Sequence, residues 1–570
     1  MSEGVPVATE ESTAEGGITD YDVVIIGAGV NGAGLFRDLC LQGVRCLIVD
    51  KADFGSGTSA APSRLIHGGI KYLETGELGL VAQSTLERNL LLRNAPHCVE
   101  PLATFIPSFS LMKGAFAALR TLAGSTTAPR SRGALLIKIG LALYDIYGAR
   151  HRVMPKHRFF FRKAALKEMP EITPRIVAGG LYYDARISRP ERLVLELITD
   201  GLQANPQSAA FNYTELTECV GDTLTFKDER NRTIRAKPTI VVNAAGPWID
   251  RVNGALGETT RMIGGTKGSH ILLDHPQLIE SLQGRMIYFE ADDGRICLVY
   301  DHLGKALVGS TDIKSDDPDS VSCEDDEIDY FIASLRSLLP RLRFDRNQII
   351  YTYSGVRPLP ASDASQPGLI SRDHSAPVLQ PNDRRPFPIL SLIGGKWTTF
   401  RGFAAEVADT LLRRLGRERH IDTTMSAIGG GRDFPTTPQA RQGWISARQL
   451  TGGLSAVELD RMLARYGTTA DRLIAHIDNA DGAVSDGVIV DIPGYRRAEI
   501  DWICRSERVS HLSDIVMRRT SLAIEGLLTG AALEDIATVA AAALGWSETR
   551  RATEIASTKH RLEGMHGVRL

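Results

Sequence analysis

Residues 21–34 read YDVVIIGAGVNGAG, and the chain then reaches Asp50 at the end of CLIVD, residues 46–50. Residues 22–26 form a short apolar, β-branched run, the pattern of a buried parallel strand. Gly27, Gly29 and Gly32 follow with G-x-G-x-x-G spacing. At Gly27 the missing side chain permits a tight turn, at Gly29 it lets a pyrophosphate approach the backbone, and at Gly32 it lets the next helix lie close to the strand. That helix offers unbonded N–H groups and a positive dipole end to phosphates. Residues 44–49 read as the next strand. Asp50 then stands where an acid binds a ribose hydroxyl, which suits FAD or NAD better than NADP.

Working outward, residues 239–242 repeat the buried-strand pattern and run into NAAGPW, 243–248, while 388–393 run into GGKWTTF, 394–400. A short apolar strand that stops in small residues suits a backbone passing under a cofactor. Three returns to one sheet predict a discontinuous cofactor domain made of 20–84, 191–260 and 350–420. Segments 85–190 and 261–349 are expected to form a second domain above it. Helices are expected through 86–93 and 404–415. Beyond about residue 423 the texture becomes helical. Ser455 and Glu458 form a capping box, Leu459, Met462, Leu463 and Tyr466 follow at helical spacing, and both 511–528 and 533–546 read as helices. Residues 425–570 are therefore expected to be a C-terminal helical domain.

A chain of 570 residues with 43% hydrophobic and 24% charged residues predicts two or three ordinary globular domains. Lys+Arg 66 against Asp+Glu 68 gives a net charge of −2, so no basic excess points to nucleic acid. Seven dispersed cysteines without a C-x-x-C suggest reduced thiols in a cytosol, and no metal site is expected. Residues 1–19 are polar and acidic, read as a disordered tail, and lack the features of a signal peptide. No apolar run approaches the length of a membrane span. One region departs from the neutral balance. Within 108–152, Lys113, Arg120, Arg130, Arg132, Lys138, Arg150 and Arg152 face a single acid, Asp145, and alternate with Phe116, Leu119, Leu135, Ile139 and Leu143. Such a pattern suits an anionic lipid surface, or else a solvated charged face whose apolar side packs inward.

At LIHGGIKYLE, 65–74, a family resemblance becomes visible. The chain resembles the FAD-dependent, quinone-linked, aerobic-type glycerol-3-phosphate dehydrogenases. The resemblance is carried, in order, by GAGVNGAG, FGSGTSAAPSRLIHGG (54–69), NAAGPW, KGSHI (267–271), VGSTD (308–312), TYSGVRPL (352–359), ISRD (370–373), GGKWTTFRG (394–402) and HLSDIVMRRT (511–520). It implies an α/β fold with a Rossmann-like FAD-binding domain, an antiparallel-sheet substrate cap and the C-terminal helical domain. The cofactor would be FAD. The reaction would be oxidation of sn-glycerol 3-phosphate at C2 to dihydroxyacetone phosphate, with electrons passed to a quinone. The protein would lie in the cytoplasm, attached peripherally to the inner face of the cell membrane without a transmembrane helix. The oligomeric state stays open, a homodimer being one arrangement. Three other readings stay open: a dehydrogenase of another polyol phosphate such as erythritol phosphate, an oxidase using oxygen, and a flavin-binding membrane scaffold without turnover.

The resemblance also assigns residues. Arg357, Arg372 and Lys396 match positions that line the family's substrate pocket, where guanidinium forks and a lysine point charge suit a phosphate dianion. Outside those motifs each would read as a surface charge. His270 is the expected general base, since histidine titrates near working pH, and catalysis would rest on His270, Arg357 and Lys396. Lys71, Tyr72, Ser310 and Thr311 join the substrate-binding set. Thr58, Ser59, Ser63 and His67 are expected beside the flavin, Ala245 and Gly246 near the adenosine end, and Gly394 and Gly395 against the isoalloxazine. Together with Gly27, Gly29, Gly32 and Asp50 these make the cofactor set. Departures from the family are Asp50 for a usual Glu, Lys71 for a usual Arg, Ser310 for a usual Thr, and RISRPERL, 186–193, for an acidic stretch. Arg to Lys at a bidentate site changes geometry as well as charge, so the polyol phosphate itself could differ.

Overall fold

The strand before the glycine turn, Ile18–Ile26, pairs in parallel with Cys46–Val49 on one side and with Thr233–Asn243 on the other. It starts earlier than its apolar run because Ile18 to Tyr21 already pair with Arg235 to Pro238, so backbone partners rather than burial set its beginning. The structure is a computed structural model that describes residues 17–73, 77–111, 133–291, 293–315, 317–361, 373–449, 453–479 and 487–570, without the side chain of Lys71. Ile389–Ser391 adds beside Thr233–Asn243, and Ala209–Phe211 beside Cys46–Val49, both in parallel. An antiparallel hairpin, Thr214–Val220 and Thr223–Asp228, completes the sheet with the edge strand Val378–Leu379. All three segments read as strands at the glycine-rich ends of the sequence thus lie side by side.

Helices cover this sheet, which is why its strands read as continuous apolar runs. Val30–Leu41, Pro190–Ala204 and Phe400–Arg414 bury Phe36, Leu197 and Phe400 against Val23 and Ile25. The opposite face buries Val24, Leu47 and Phe226.

A second sheet has ten strands. Towards one edge Ile263–Leu273 pairs antiparallel with Lys305–Gly309 and, along nearly its whole length, with Ile349–Pro360. The pairing of Arg285–Glu290 with Val99–Ser108 is parallel. Asp325–Leu338, through Phe331, and Pro276–Leu282 cover one face over Phe105 and Val299. The expected boundary at 349/350 is corrected here, because the strand from Ile349 stays in the second sheet to Pro360 before the chain returns to the first. An alternating strand reads alike in either sheet, so only its partner decides.

The C-terminal region holds Pro438–Arg448, Ala456–Tyr466, Ala470–Asp478, Arg497–Ser506, Gly530–Leu544 and Glu548–His566. The Ser455 capping box forms, with Ser455 N donating to Glu458 Oε2 at 2.9 Å. Leu459, Leu463, Ile500 and Leu533 centre a core that continues into Leu272, Tyr351 and Tyr353 of the second sheet. The single helix expected over 511–528 is corrected. One turn, Leu512–Asp514, opens into a π-helical turn, Ile515–Arg519, and ends there. Thr520 closes it by donating both its N–H (2.9 Å) and its hydroxyl (2.7 Å) to the Ile515 carbonyl.

Candidate active site

The glycine turn has the shape its spacing demands. Gly27 sits at φ +106, and a Cβ there would lie 2.5 Å from the Ala244 carbonyl oxygen. A Cβ on Gly32 would lie 2.0 Å from the Gly27 oxygen. Gly29 caps Val30–Leu41 with extended backbone and no side-chain acceptor, and the first turn carries no acid. Ser59 reaches in from the loop and accepts from Val30 N at 2.9 Å. Asp50 accepts from Ala28 N at 2.7 Å and from Ala52 N at 3.0 Å, which fixes its carboxylate under the turn. Gly246, at φ +57, faces open space, whereas a Cβ on Gly394 would meet the Asp373 carbonyl oxygen at 2.5 Å. Gly395 faces Asn31, a residue the sequence reading passed over. Asn31 Nδ2 donates to Gly394 O at 3.3 Å, while its buried Oδ1 has no partner.

These features fit FAD. A helix N-terminus free of acids suits a pyrophosphate, the glycines leave the space it needs, and the Asn31 Oδ1 is a buried acceptor awaiting a donor. Burial pushes the Asp50 pKa up to about 6, against the N–H bonds from Ala52 and Ala28 that lower it. The folded value lies above the ordinary one, so the folded chain takes up this proton more readily than the unfolded chain. The empty protein therefore gains stability as pH falls from about 6 towards 4, whereas the carboxylate a ribose hydroxyl would bind is lost. FAD affinity is expected to weaken about tenfold per pH unit below about 6. Asp50→Asn should flatten that dependence in a fluorescence titration, and an unchanged slope would remove Asp50 from the ribose site.

The loop of residues 54–63, FGSGTSAAPS, lies along the strand Ile349–Pro360. Thr58 Oγ1 donates to Val356 O at 2.6 Å, a Cβ on Gly355 would meet Ala61 at 2.6 Å, and Tyr353 Oη donates to Pro62 O at 2.8 Å. Its end brings Ser63 Oγ to 2.8 Å from His270 Nε2. His270 is 1% exposed and stacks on Tyr353, its cross-strand neighbour, with ring centroids 4.7 Å apart. On the other side it packs on Gly309, where a Cβ would lie 2.1 Å from the imidazole. Burial, then the charges of Arg357 and Arg64, lowers its pKa well below the usual value, so the ring is neutral at physiological pH.

Arg357 lies over Gly268, whose Cβ would fall 2.0 Å from the guanidinium. Gly268 and His270 alternate onto the same face of their strand, so cation and imidazole stand side by side, about 7 Å apart along it. Arg357 Nη1 donates to Asp312 Oδ1 at 3.1 Å, and Nη2 to Ser310 Oγ and Thr311 O, both at 3.2 Å. Ser310 is thus in contact with the expected phosphate anchor. Thr311 is turned away from it: its hydroxyl is buried, accepts from Ser269 N at 2.9 Å and donates to Glu327 at 2.6 Å, which fixes the strand end.

Lys396 forms the next group. Its Nζ donates to Ser84 Oγ at 3.1 Å and lies 3.7 Å from the Tyr72 ring centroid. Gly69 leaves room for both, since a Cβ there would lie 2.7 Å from Nζ. His67 N donates to Thr398 Oγ1 at 3.1 Å, tying LIHGG to GGKWTT. The chain segment that touches His270 at Ser63 therefore touches Lys396 at Gly69 and Tyr72. Ala245 N donates to Asn243 Oδ1 at 3.2 Å, which shapes the turn over which Gly246 opens. Arg372 and the side chain of Lys71 lie outside the described residues. Ser84 carried no sequence signal, and Tyr353, Gly268 and Gly309 lay in the quoted motifs without an assigned role, because each acts through a neighbour distant in the chain.

One His/Cys/Glu group is present among the described residues: His97, Cys98 and Glu196, all buried. His97 Nε2 lies 2.8 Å from Glu196 Oε2, and its pKa is pushed up to about 10 by Cys98 and Glu196 against burial, so it reads as a buried ion pair.

Comparison with known proteins matches residues 22–388 to the FAD dependent oxidoreductase family and residues 391–551 to the C-terminal domain of alpha-glycerophosphate oxidase. The chain is 32% identical to a glycerol-3-phosphate dehydrogenase of Synechocystis sp. over 535 residues, 89% of each chain. It is 30% identical to a glycerol-3-phosphate dehydrogenase of Pseudomonas tolaasii, covering 90% of this chain and 94% of that one. Among solved structures, glycerol-3-phosphate dehydrogenase from Bacillus halodurans, complexed with FAD, shares the fold over 97% of this chain and 96% of its own, with a TM-score of 0.74 at 21% identity.

Proposed function

Since the chain belongs to the FAD-dependent glycerol-3-phosphate dehydrogenase family, and is by that membership an FAD-dependent oxidoreductase, we propose that it oxidises sn-glycerol 3-phosphate at C2 to dihydroxyacetone phosphate and passes the electrons to a quinone. The observation that carries this reading is the shared strand face of Arg357 and His270. A phosphate held by the guanidinium would place a three-carbon chain, and its middle hydroxyl, beside the imidazole. FAD supplies the two-electron acceptor for the C2 hydride.

The remaining work falls to the chain's own residues. Asp312 and the Ser310–Thr311 turn orient the guanidinium, so less conformational freedom is lost on binding an anion. Lys396 adds a second positive charge, and its contacts with Tyr72 and Ser84 fix where the ammonium stands. His270 accepts the hydroxyl proton at Nε2, the nitrogen that meets Ser63 Oγ, while its buried Nδ1 has no partner. Its neutral state at working pH leaves that nitrogen able to accept. Turnover with glycerol 3-phosphate should reduce a soluble quinone in step with product. Peroxide formed in that ratio instead would assign an oxidase.

Attachment to a lipid surface is supported by the helix Ala134–Tyr147. Ile137, Leu141 and Tyr144 are buried, yet Leu135, Ile139, Leu143 and Ile146 on another face are exposed. Phe161 beside them is 73% exposed, with Lys138 and Arg158 near the same aromatic strand. An apolar stripe bordered by cations suits anionic headgroups. No helix among the described residues is long and apolar enough to cross a membrane. Of the basic residues expected to contribute, Lys113, Arg120, Arg130 and Arg132 lie outside the described residues. Burying one Ile or Leu stabilises by about 1.5–3 kcal/mol. Ile139→Asp with Leu143→Asp should therefore weaken co-sedimentation with phosphatidylglycerol vesicles by ~100-fold or more and leave turnover with a soluble quinone intact. Unchanged binding would remove this face from the membrane contact.

A further inference from the structure

We propose that the arginine pair Arg518–Arg519 of the C-terminal region is a positioning device for the FAD site, acting through Asp53 on the loop that carries Asp50 and Ser59. Asp53 lies three residues beyond the expected ribose acid and has different partners from it. Its carboxylate is gripped by Arg519, Nη1 to Oδ2 at 2.7 Å and Nη2 to Oδ1 at 2.9 Å, and by Arg518 Nε at 2.6 Å. The three side chains are 0%, 2% and 5% exposed for Asp53, Arg519 and Arg518.

The π-helical turn explains how adjacent arginines reach one carboxylate. In an α-helix consecutive residues point about 100° apart, whereas the wider turn Ile515–Arg519 lets both side chains converge. Arg518 also pairs with Asp514, Tyr213 Oη donates to that same carboxylate, and Arg519 Nε donates to Glu507 O at 2.8 Å. Two cations thus meet two anions. Burial alone would raise the Asp53 pKa, but Arg519 and Arg518 hold it well below the usual carboxylate range.

The loop so held touches the glycine turn at both ends. Asp50 accepts from Ala28 N, Gly55 N donates to Ala28 O at 3.0 Å, and Ser59 accepts from Val30 N. Ser56 N donates to Asp53 O at 3.1 Å, which ties the clamped residue into the same turn. A buried ion cluster is a poor source of net stability, since desolvation offsets its attraction. Planar guanidinium forks are, however, strict about position. The C-terminal region thereby fixes where the ribose acid and the pyrophosphate-facing hydroxyl stand. By linkage, FAD and the Arg518–Arg519 turn must stabilise each other.

The test uses holoenzyme carrying Arg519→Met or the milder Arg519→Lys, with FAD release followed by flavin fluorescence and folding followed by circular dichroism. The proposal expects FAD to leave Arg519→Met at least tenfold faster while the far-ultraviolet spectrum stays native, excess FAD to restore the complex, and Arg519→Lys to fall between. A purely structural role would lower the melting temperature and leave the release rate within twofold of the parent, which overturns the proposal. Should the variants not fold, the parent protein answers by hydrogen exchange. FAD must slow exchange across residues 515–520, and equal rates with and without FAD overturn it as well.

Discussion

Arg357→Ala is expected to raise the KM for glycerol 3-phosphate by about 10²–10³-fold while FAD stays bound. Charge-assisted hydrogen bonds contribute about 1.5–3 kcal/mol each, and a guanidinium presents two to a phosphate. At the lower end of that range two such bonds amount to about 3–4 kcal/mol, which corresponds to that factor in kcat/KM. The protein itself should tolerate the change. Arg357 and Asp312 keep 21% and 24% of their side-chain surface exposed, so water can reach the carboxylate left behind. Among the described residues the hydrogen bonds of Arg357 go to 310–312, while the glycine turn is held by Asp50 and Ser59, so FAD is expected to stay bound. Steady-state kinetics with absorbance at the flavin bands checks both halves, and loss of FAD would refute the assignment.

His270→Asn should act on the other parameter. Removing a positioned base lowers kcat by about 10²–10⁴-fold, and KM should change little because the phosphate anchor is untouched. The sign of the pH dependence follows from the site. Burial and two arginines depress the His270 pKa, so the base is competent above that value and is lost only as pH falls through it. The acid limb of kcat/KM should lie well below pH 6.5 in the parent and be absent in His270→Asn. Ser63→Ala, which removes a side chain bonded to Nε2, should lower kcat by less than His270→Asn and leave that limb in place if Ser63 only positions the ring; a kcat loss equal to that of His270→Asn would make Ser63 an obligatory relay.

The cofactor half of the molecule was legible because its determinants are local. Gly27, Gly29 and Gly32 act within one turn, and the runs ending at Asn243 and before Gly394 declare buried parallel strands by composition alone. The substrate half was legible only as residue types. Arg357 and His270 stood out, but nothing in the chain says that Gly268 lies under one and Gly309 under the other, since those contacts arise from strand register. Thr311 matched a motif, yet Glu327 draws its hydroxyl inward. The stretch 511–528 has helical periodicity, but the pull of Asp53 on two adjacent arginines and the double bond of Thr520 to Ile515 favour a wider turn over a continued helix. From Glu327, 16 residues beyond Thr311, to Asp53, 465 residues before Arg518, partners outside the local pattern decided what it left open.

Anaerobic mixing of the holoenzyme with a panel of polyols tests the central claim most directly. Glycerol 3-phosphate should bleach the flavin's visible absorbance in a single saturable phase. Glycerol, which lacks the phosphate, should fail at the same concentration, and Arg357→Ala should need far more substrate to reach the same rate. Bleaching by erythritol phosphate but not by glycerol 3-phosphate would contradict the substrate assignment, and no bleaching by any phosphorylated polyol would contradict the enzyme reading of the Arg357–His270 face.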